Sequence, residues 1–152
     1  MFFIVLIAMI FLLEYGIKCH MDRVRTLQQR RPFAGGKIVL KKYYNKGAAG
    51  NFLNHHPKSV CYIHTSALLL VFVAWIYMLP QKNAAVAKTG LSFLAGGGAS
   101  NLYDRLTRGH VIDYISFGFG PKKFQKLVFN TADFFVFAGI FLCMIQMIKK
   151  EG

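Results

Sequence analysis

Acidic residues are scarce in this chain, with six Asp and Glu against 19 Lys and Arg in 152 residues. They are Glu14, Asp22, Asp104, Asp113, Asp133 and Glu151, and three of them fall within 30 residues at or beside apolar segments. A carboxylate near a bilayer centre costs at least ~2.5 kcal/mol on insertion scales, so each placement of this kind needs a partner or a task. Asp113 follows Val111-Ile112, an apolar setting that raises a carboxyl pKa by desolvation. Asp133 lies about one turn inside an apolar span, where a helix dipole offsets only ~0.3–1 kcal/mol. It needs a partner in space, and Asp113 is the obvious one. Two carboxylates held together cannot both ionise readily, so one keeps its proton at neutral pH. One then serves as base toward a water while the other protonates a carbonyl oxygen or leaving amine. That pair suffices to hydrolyse an amide without a metal or a nucleophilic side chain. Spacing alone leaves a structural pair and an ion-path pair open beside this reading.

Amides and charges cluster around the two aspartates. Asn101, Asp104 and Arg105 are spaced i, i+3, i+4 and share one helix face, with a plain interfacial ion pair as the alternative for Asp104 and Arg105. Asn130 and Asp133 are i, i+3 neighbours, and Asn130 is also suited to a helix N-cap.

The elements that must position these groups are set by hydropathy. Crossing ~30 Å of hydrocarbon takes about 20 residues of helix, and four segments approach that length: about 1–19, 60–80 with Pro80 as a stop, 84–105, and 127–148. The first lacks a basic leading region and a small-residue cleavage site, which disfavours a removable signal peptide. The third is rich in Ala95, Gly96, Gly97, Gly98, Ala99 and Ser100, small residues that let backbones approach closely, and is expected at the centre of the bundle. Connections of about 20–59 and 106–126 are polar and basic. The run Lys37 to Tyr44 reads as a strand from its β-branched and aromatic content. His110 to Phe117 reads as either a strand or a continuation of the third helix. If both are extended, they can pair as a small surface sheet. The expected fold is an all-α, four-transmembrane-helix bundle with a small extracytoplasmic β platform, forming one domain over 1–152.

Composition narrows the function classes. The apolar fraction is 55% and the charged fraction 16%, against about 25% charged in soluble domains. A net charge of +13 would suggest nucleic acid in a soluble protein. Here the bases flank apolar spans, so anionic lipid headgroups are the expected partner and nucleic acid is not. The basic 20–46 stretch also reads as a plain solvated face. Cys19, Cys61 and Cys143 lack paired or metal-type spacing and read as small buried hydrophobes. The five histidines show no HExxH-type pattern, so neither metal nor cofactor is expected.

Three strings then carry a resemblance. GGGASNLYDR (residues 96–105), GHVIDY (109–114) and FNTAD (129–133) resemble the motif blocks of lipoprotein signal peptidases (signal peptidase II). In that family the catalytic aspartates sit in the second and third blocks, which implies Asp113 and Asp133 here. The resemblance implies supporting or substrate-binding roles for Gly97, Asn101, Asp104, Arg105, Asn130 and Ala132. Upstream, Asn45-Lys-Gly-Ala-Ala49 resembles the family's N-x-G-A-A block, whose asparagine lies near the active site. Two departures stand out. Glu14 and Lys18 occupy a position where the family carries Asp and Lys, and Gly50-Asn51 precede Phe52 where the family has Phe at once. The implied activity is an intramembrane aspartic endopeptidase that removes the signal peptide from diacylglyceryl-modified bacterial prolipoproteins, acting as a monomer. A family member that binds lipidated peptides without cutting them is the alternative, and an ion or proton carrier is a more distant one.

Orientation is contested within the sequence. Lys and Arg concentrate in the two long connections, which the positive-inside rule would place in the cytoplasm. The family places both termini in the cytoplasm and the active site toward the outer face of the cell membrane. The expected orientation is the one the resemblance implies, because a basic outer surface can bind anionic lipid.

Overall fold

Apolar segments of this length satisfy their backbone polar groups in lipid only by internal hydrogen bonding, and the chain does so with long helices. A computed structural model describes residues 1–27, 29–48 and 52–151. Its elements in chain order are α1 (Phe2–Val24), β1 (Arg30–Phe33), β2 (Ile38–Asn45), α2 (Pro57–Met78), α3 (Ala85–Arg108), β3 (Val111–Phe117), α4 (Lys122–Gln125) and α5 (Thr131–Glu151). Three of these, α1, α2 and the Thr131–Lys149 stretch of α5, are long and apolar enough to cross a membrane. α3 has 24 residues, but its glycines, Ser92, Ser100, Asn101, Asp104 and two arginines keep it below that apolarity. Its character follows from its place, because the other three long helices cover it.

Three consecutive glycines make that place possible. Successive helical residues turn by about 100°, so Gly96, Gly97 and Gly98 face different neighbours. A methyl group at Gly96 would lie 2.9 Å from Ile10 Cβ of α1, and one at Gly97 would lie 2.7 Å from the Ala132 carbonyl oxygen of α5. One at Gly98 would lie 3.0 Å from Leu68 Cδ1 of α2. A turn or two earlier, Gly90 meets Gly139 of α5 in the same backbone-to-backbone manner. Trp75 of α2 donates from Nε1 to the buried Ser92 hydroxyl (2.9 Å), which itself donates to the Lys88 carbonyl. The expectation of a central third helix therefore holds.

The polar connections form a three-stranded antiparallel sheet in the order β1-β2-β3. β1 and β2 join through Ala34, Gly35 and Gly36, all at positive φ (51°, 67° and 84°), a conformation open to glycine at little cost. β2 and β3 pair from Ile38 opposite Phe117 to Asn45 opposite Val111, with an irregularity between Leu40 and Tyr43. Val111 to Phe117 thus resolve as a strand, with His110 between it and Gly109, whose φ of 74° ends α3 in a left-handed cap.

The boundaries differ from hydropathy in informative ways. α1 continues past Cys19 to Val24, carrying Asp22 up to the sheet. α5 begins at Thr131 and not near Leu127, because Phe129 is held extended against β3. Phe129 exchanges backbone hydrogen bonds with Ile115 (2.7 and 2.8 Å). β1 was not anticipated.

Candidate active site

The two aspartates reach one place by different routes. Asp113 sits mid-strand on β3, between Ile112 and Tyr114, and is 2% exposed. Asp133 sits in the first turn of α5. Asn130, just before that helix, accepts from the Asp133 backbone N–H at its Oδ1 (3.0 Å), and its own N–H donates to Asp133 Oδ2 (3.0 Å). This is a reciprocal cap with Asp as the third residue, so the N-cap reading of Asn130 is correct. The same side chain does more. Its Nδ2 donates to Asp113 Oδ1 (2.7 Å) and to Asn101 Oδ1 (3.1 Å).

Each carboxylate has a second amide donor. Asn45 Nδ2 donates to Asp113 Oδ2 (3.0 Å), and Asn101 Nδ2 donates to Asp133 Oδ1 (2.9 Å). Three asparagines from β2, α3 and the α5 cap thus hold all four carboxylate oxygens. The two carboxyl groups line a cavity of about 210 Å³ with Asn45, Asn101, Arg105 and the apolar side chains of Val128, Val136 and Phe137. Burial, and next to it the Asp133 charge, push Asp113 up to about 7. Arg105 reaches the cavity wall and donates to the Gly47 carbonyl (2.7 Å), while Gly47 N–H donates to Asn45 Oδ1 (3.0 Å). The loop after β2 is thereby pinned beside Asp113. Ala49 of the upstream block and the Gly50-Asn51 departure lie outside the described residues.

Behind this layer lies a buried charge ladder. Lys18, 1% exposed, donates to Asn101 Oδ1 (2.7 Å) and Ser100 Oγ (3.0 Å). It pairs with Asp104 at 3.0 Å and approaches Glu14 at 4.0 Å. Asp104 also accepts from the Ile112 backbone N–H (3.3 Å) and pairs with Arg108 (3.4 Å), tying α3 to β3. Lys18 therefore reaches Asp133 through Asn101, Asp104 holds the β3 backbone next to Asp113, and Glu14 is joined to the ladder through Lys18. Ala132 is wholly buried against Gly97, which sets the depth of Asp133.

Several contributors were not singled out from sequence. Thr131 donates to Glu14 Oε1. Tyr114 Oη donates to the same oxygen (3.4 Å) and accepts from the Thr131 backbone N–H (3.2 Å). Tyr114 follows Asp113 and Thr131 precedes Asp133 by two, so this brace joins the two segments that carry the carboxylates. Both residues lie inside the quoted strings, and their hydroxyls next to buried acids were the available signal. Asp22 accepts from Tyr44 (2.7 Å) and pairs with Lys42 and Arg108, fastening α1 to β2 and α3. Among the described residues, no three His, Cys, Asp or Glu side chains converge as metal ligands.

Fold and site together define a multi-pass membrane protein with a buried, amide-clamped carboxylate pair at one end of its helices. Comparison with known proteins gives that class a family. Residues 6–149 match the family described as Signal peptidase (SPase) II, and the chain belongs to that family. It is similar to the lipoprotein signal peptidase of Caldicellulosiruptor bescii, with 32% identity over 78% of this chain and 72% of the relative. It is also similar to that of Geobacter metallireducens, with 27% identity over 98% and 91%. Among solved structures, a bacterial membrane enzyme determined by the in meso method at 2.3 Å superposes with a TM-score of 0.82 at 20% identity. That match covers 99% of this chain and 89% of the other.

Proposed function

We propose that this protein is an aspartic endopeptidase that removes the signal peptide from diacylglyceryl-modified prolipoproteins. The observation that carries this reading is the single cavity lined by Asp113 and Asp133, bridged by Asn130. With Asp113 raised to about 7 by burial, the pair holds one proton at neutral pH. The ionised partner takes a proton from a water as it attacks the scissile carbonyl, and the protonated carboxyl donates to the carbonyl oxygen. Collapse of the tetrahedral intermediate returns a proton to the leaving amine. Asn45, Asn101 and Asn130 orient the carboxylates, and Arg105 fixes the loop that flanks the substrate. The apolar wall of Val128, Val136 and Phe137 suits an extended segment delivered from the bilayer and excludes bulk water.

In this reading α3 is a fourth crossing, sheltered from lipid by its neighbours, and both termini are cytoplasmic. The sheet and the cavity then face outward, and the enzyme works as a monomer. The deciding experiment is cleavage of a diacylated prolipoprotein by purified protein in detergent. Asp113→Asn and Asp133→Asn should each fold and each lose turnover. Full processing by either variant would refute the pair, and no processing by the unmutated protein would favour a peptide-binding role.

A further inference from the structure

Arg30 and Lys41 lie directly opposite one another across β1 and β2. Like charges in that position are destabilising, and no ion pair among the described residues relieves them. Among the described residues, no acid pairs with Arg30, Lys41, Lys122 or Lys126. The acid inventory explains why. Glu14 and Asp104 are engaged by Lys18, Asp22 by Lys42 and Arg108, and Asp113 and Asp133 by asparagines. Glu151 is at the far end of α5, some 30 Å along the helix axis. The four uncompensated bases line one cleft of about 620 Å³ between the sheet and α4. Burial, then the Arg30 charge, push the Lys41 ammonium down. The cleft shares Val128 with the aspartate cavity.

We propose that this cleft binds the phosphate headgroup of an anionic phospholipid from the surrounding leaflet, seating a lipid beside the mouth of the aspartate cavity. The counter-charge comes from outside the chain, and the setting selects its source. The cleft lies near the level where α1 ends and α5 begins, and Leu27, Phe33 and Phe119 stand 52–65% exposed around the same sheet and its following loop. Bases beside exposed apolar side chains match a headgroup above its acyl chains. On the proposed function the diacylglyceryl group of the substrate carries no phosphate, so a headgroup held in this cleft is a second lipid and not the lipid of the substrate.

The test measures binding, not turnover, and so stands or fails apart from the peptidase reading. Purified full-length protein in neutral detergent is titrated with dioctanoyl phosphatidylglycerol, dioctanoyl phosphatidylcholine, glycerol phosphate and an acidic peptide, with adducts counted by native mass spectrometry. Phosphatidylglycerol should bind with clear preference. Lys41→Gln/Lys122→Gln should weaken it about thirtyfold, at roughly fivefold per charge. Lys82→Gln/Lys149→Gln, at the opposite end of the helices, should leave it unchanged. Equal binding of phosphatidylcholine, or equal loss in both double variants, would overturn the proposal. Glycerol phosphate binding as tightly as the lipid would assign the cleft to a free anion, and binding of the acidic peptide alone would assign it to the substrate polypeptide.

Discussion

Replacing Gly97 by alanine tests whether helix spacing sets the chemistry. The added methyl would sit 2.7 Å from the Ala132 carbonyl oxygen and 3.2 Å from Val136 Cγ2. Nonbonded atoms pack best near ~3.5 Å, so α3 and α5 must separate by about 0.8 Å. That shift, taken along the 2.9 Å bond from Asn101 to Asp133, stretches it to about 3.7 Å, outside hydrogen-bonding range. Overpacking of this kind costs about 1–3 kcal/mol, and a misplacement approaching 1 Å costs up to about 10²-fold in rate. The expected outcome in the diacylated-substrate assay is therefore a 10- to 100-fold fall in kcat. KM should rise as well, because Val136 and Phe137 of the cavity wall move with α5, and thermal unfolding in detergent should occur at lower temperature. Gly16→Ala is the control: nothing lies within 4 Å of its added methyl, and alanine is the better helix former by ~0.5–1 kcal/mol. Turnover by Gly97→Ala within twofold of the parent would refute the argument that this contact holds Asp133 in place.

Activity should fall along a basic limb with a midpoint near 7, because Asp113 is raised to that value and loses its proton above it. The sign for stability is the same: a raised carboxyl pKa stabilises the folded state below the unfolded value, and that contribution is lost as pH rises through the folded one. The Asn45 hydrogen bond favours the ionised form, so Asn45→Ala should move the limb to higher pH, and an unmoved limb would refute its role. Lys18→Met leaves Glu14 buried without its cation and Asp104 with Arg108 alone, a loss of about 3–5 kcal/mol that should deplete folded protein in the membrane, read by size-exclusion profile. Thr131→Val removes one donor from Glu14 and should lower stability by about 1–3 kcal/mol, read by chemical unfolding in detergent.

The bundle was legible where physics acts locally. Lipid demands long apolar stretches and close crossings demand small residues, so three of the four expected spans and the central place of α3 could be read from composition. The site was legible as types and spacing, since buried acids must be matched by donors, and Asn101 and Asn130 sit one turn from Asp104 and Asp133. What escaped was set by tertiary contact. β1 is Arg-Arg-Pro-Phe, exposed at every position, with no alternation to read; only the Gly35-Gly36 turn hinted at a hairpin. The late start of α5 depends on Phe129 pairing with β3, and the Glu14–Thr131–Tyr114 brace joins residues up to 117 positions apart, beyond any spacing rule.

Asn130 starts a helix, bridges the two acids and meets Asn101, and that convergence has a consequence for drug escape. Under the proposed mechanism, a ligand seated between the carboxylates would contact groups whose replacement dismantles the hydrogen-bond network itself. Resistance by single substitution is therefore steered away from Asn45, Asn101, Asn130, Asp113 and Asp133. It falls instead on the apolar lining, Val128, Val136 and Phe137 among it, where shape can change while these side-chain hydrogen bonds survive. Compounds that keep their affinity in the polar floor and touch that lining lightly should be the hardest to escape.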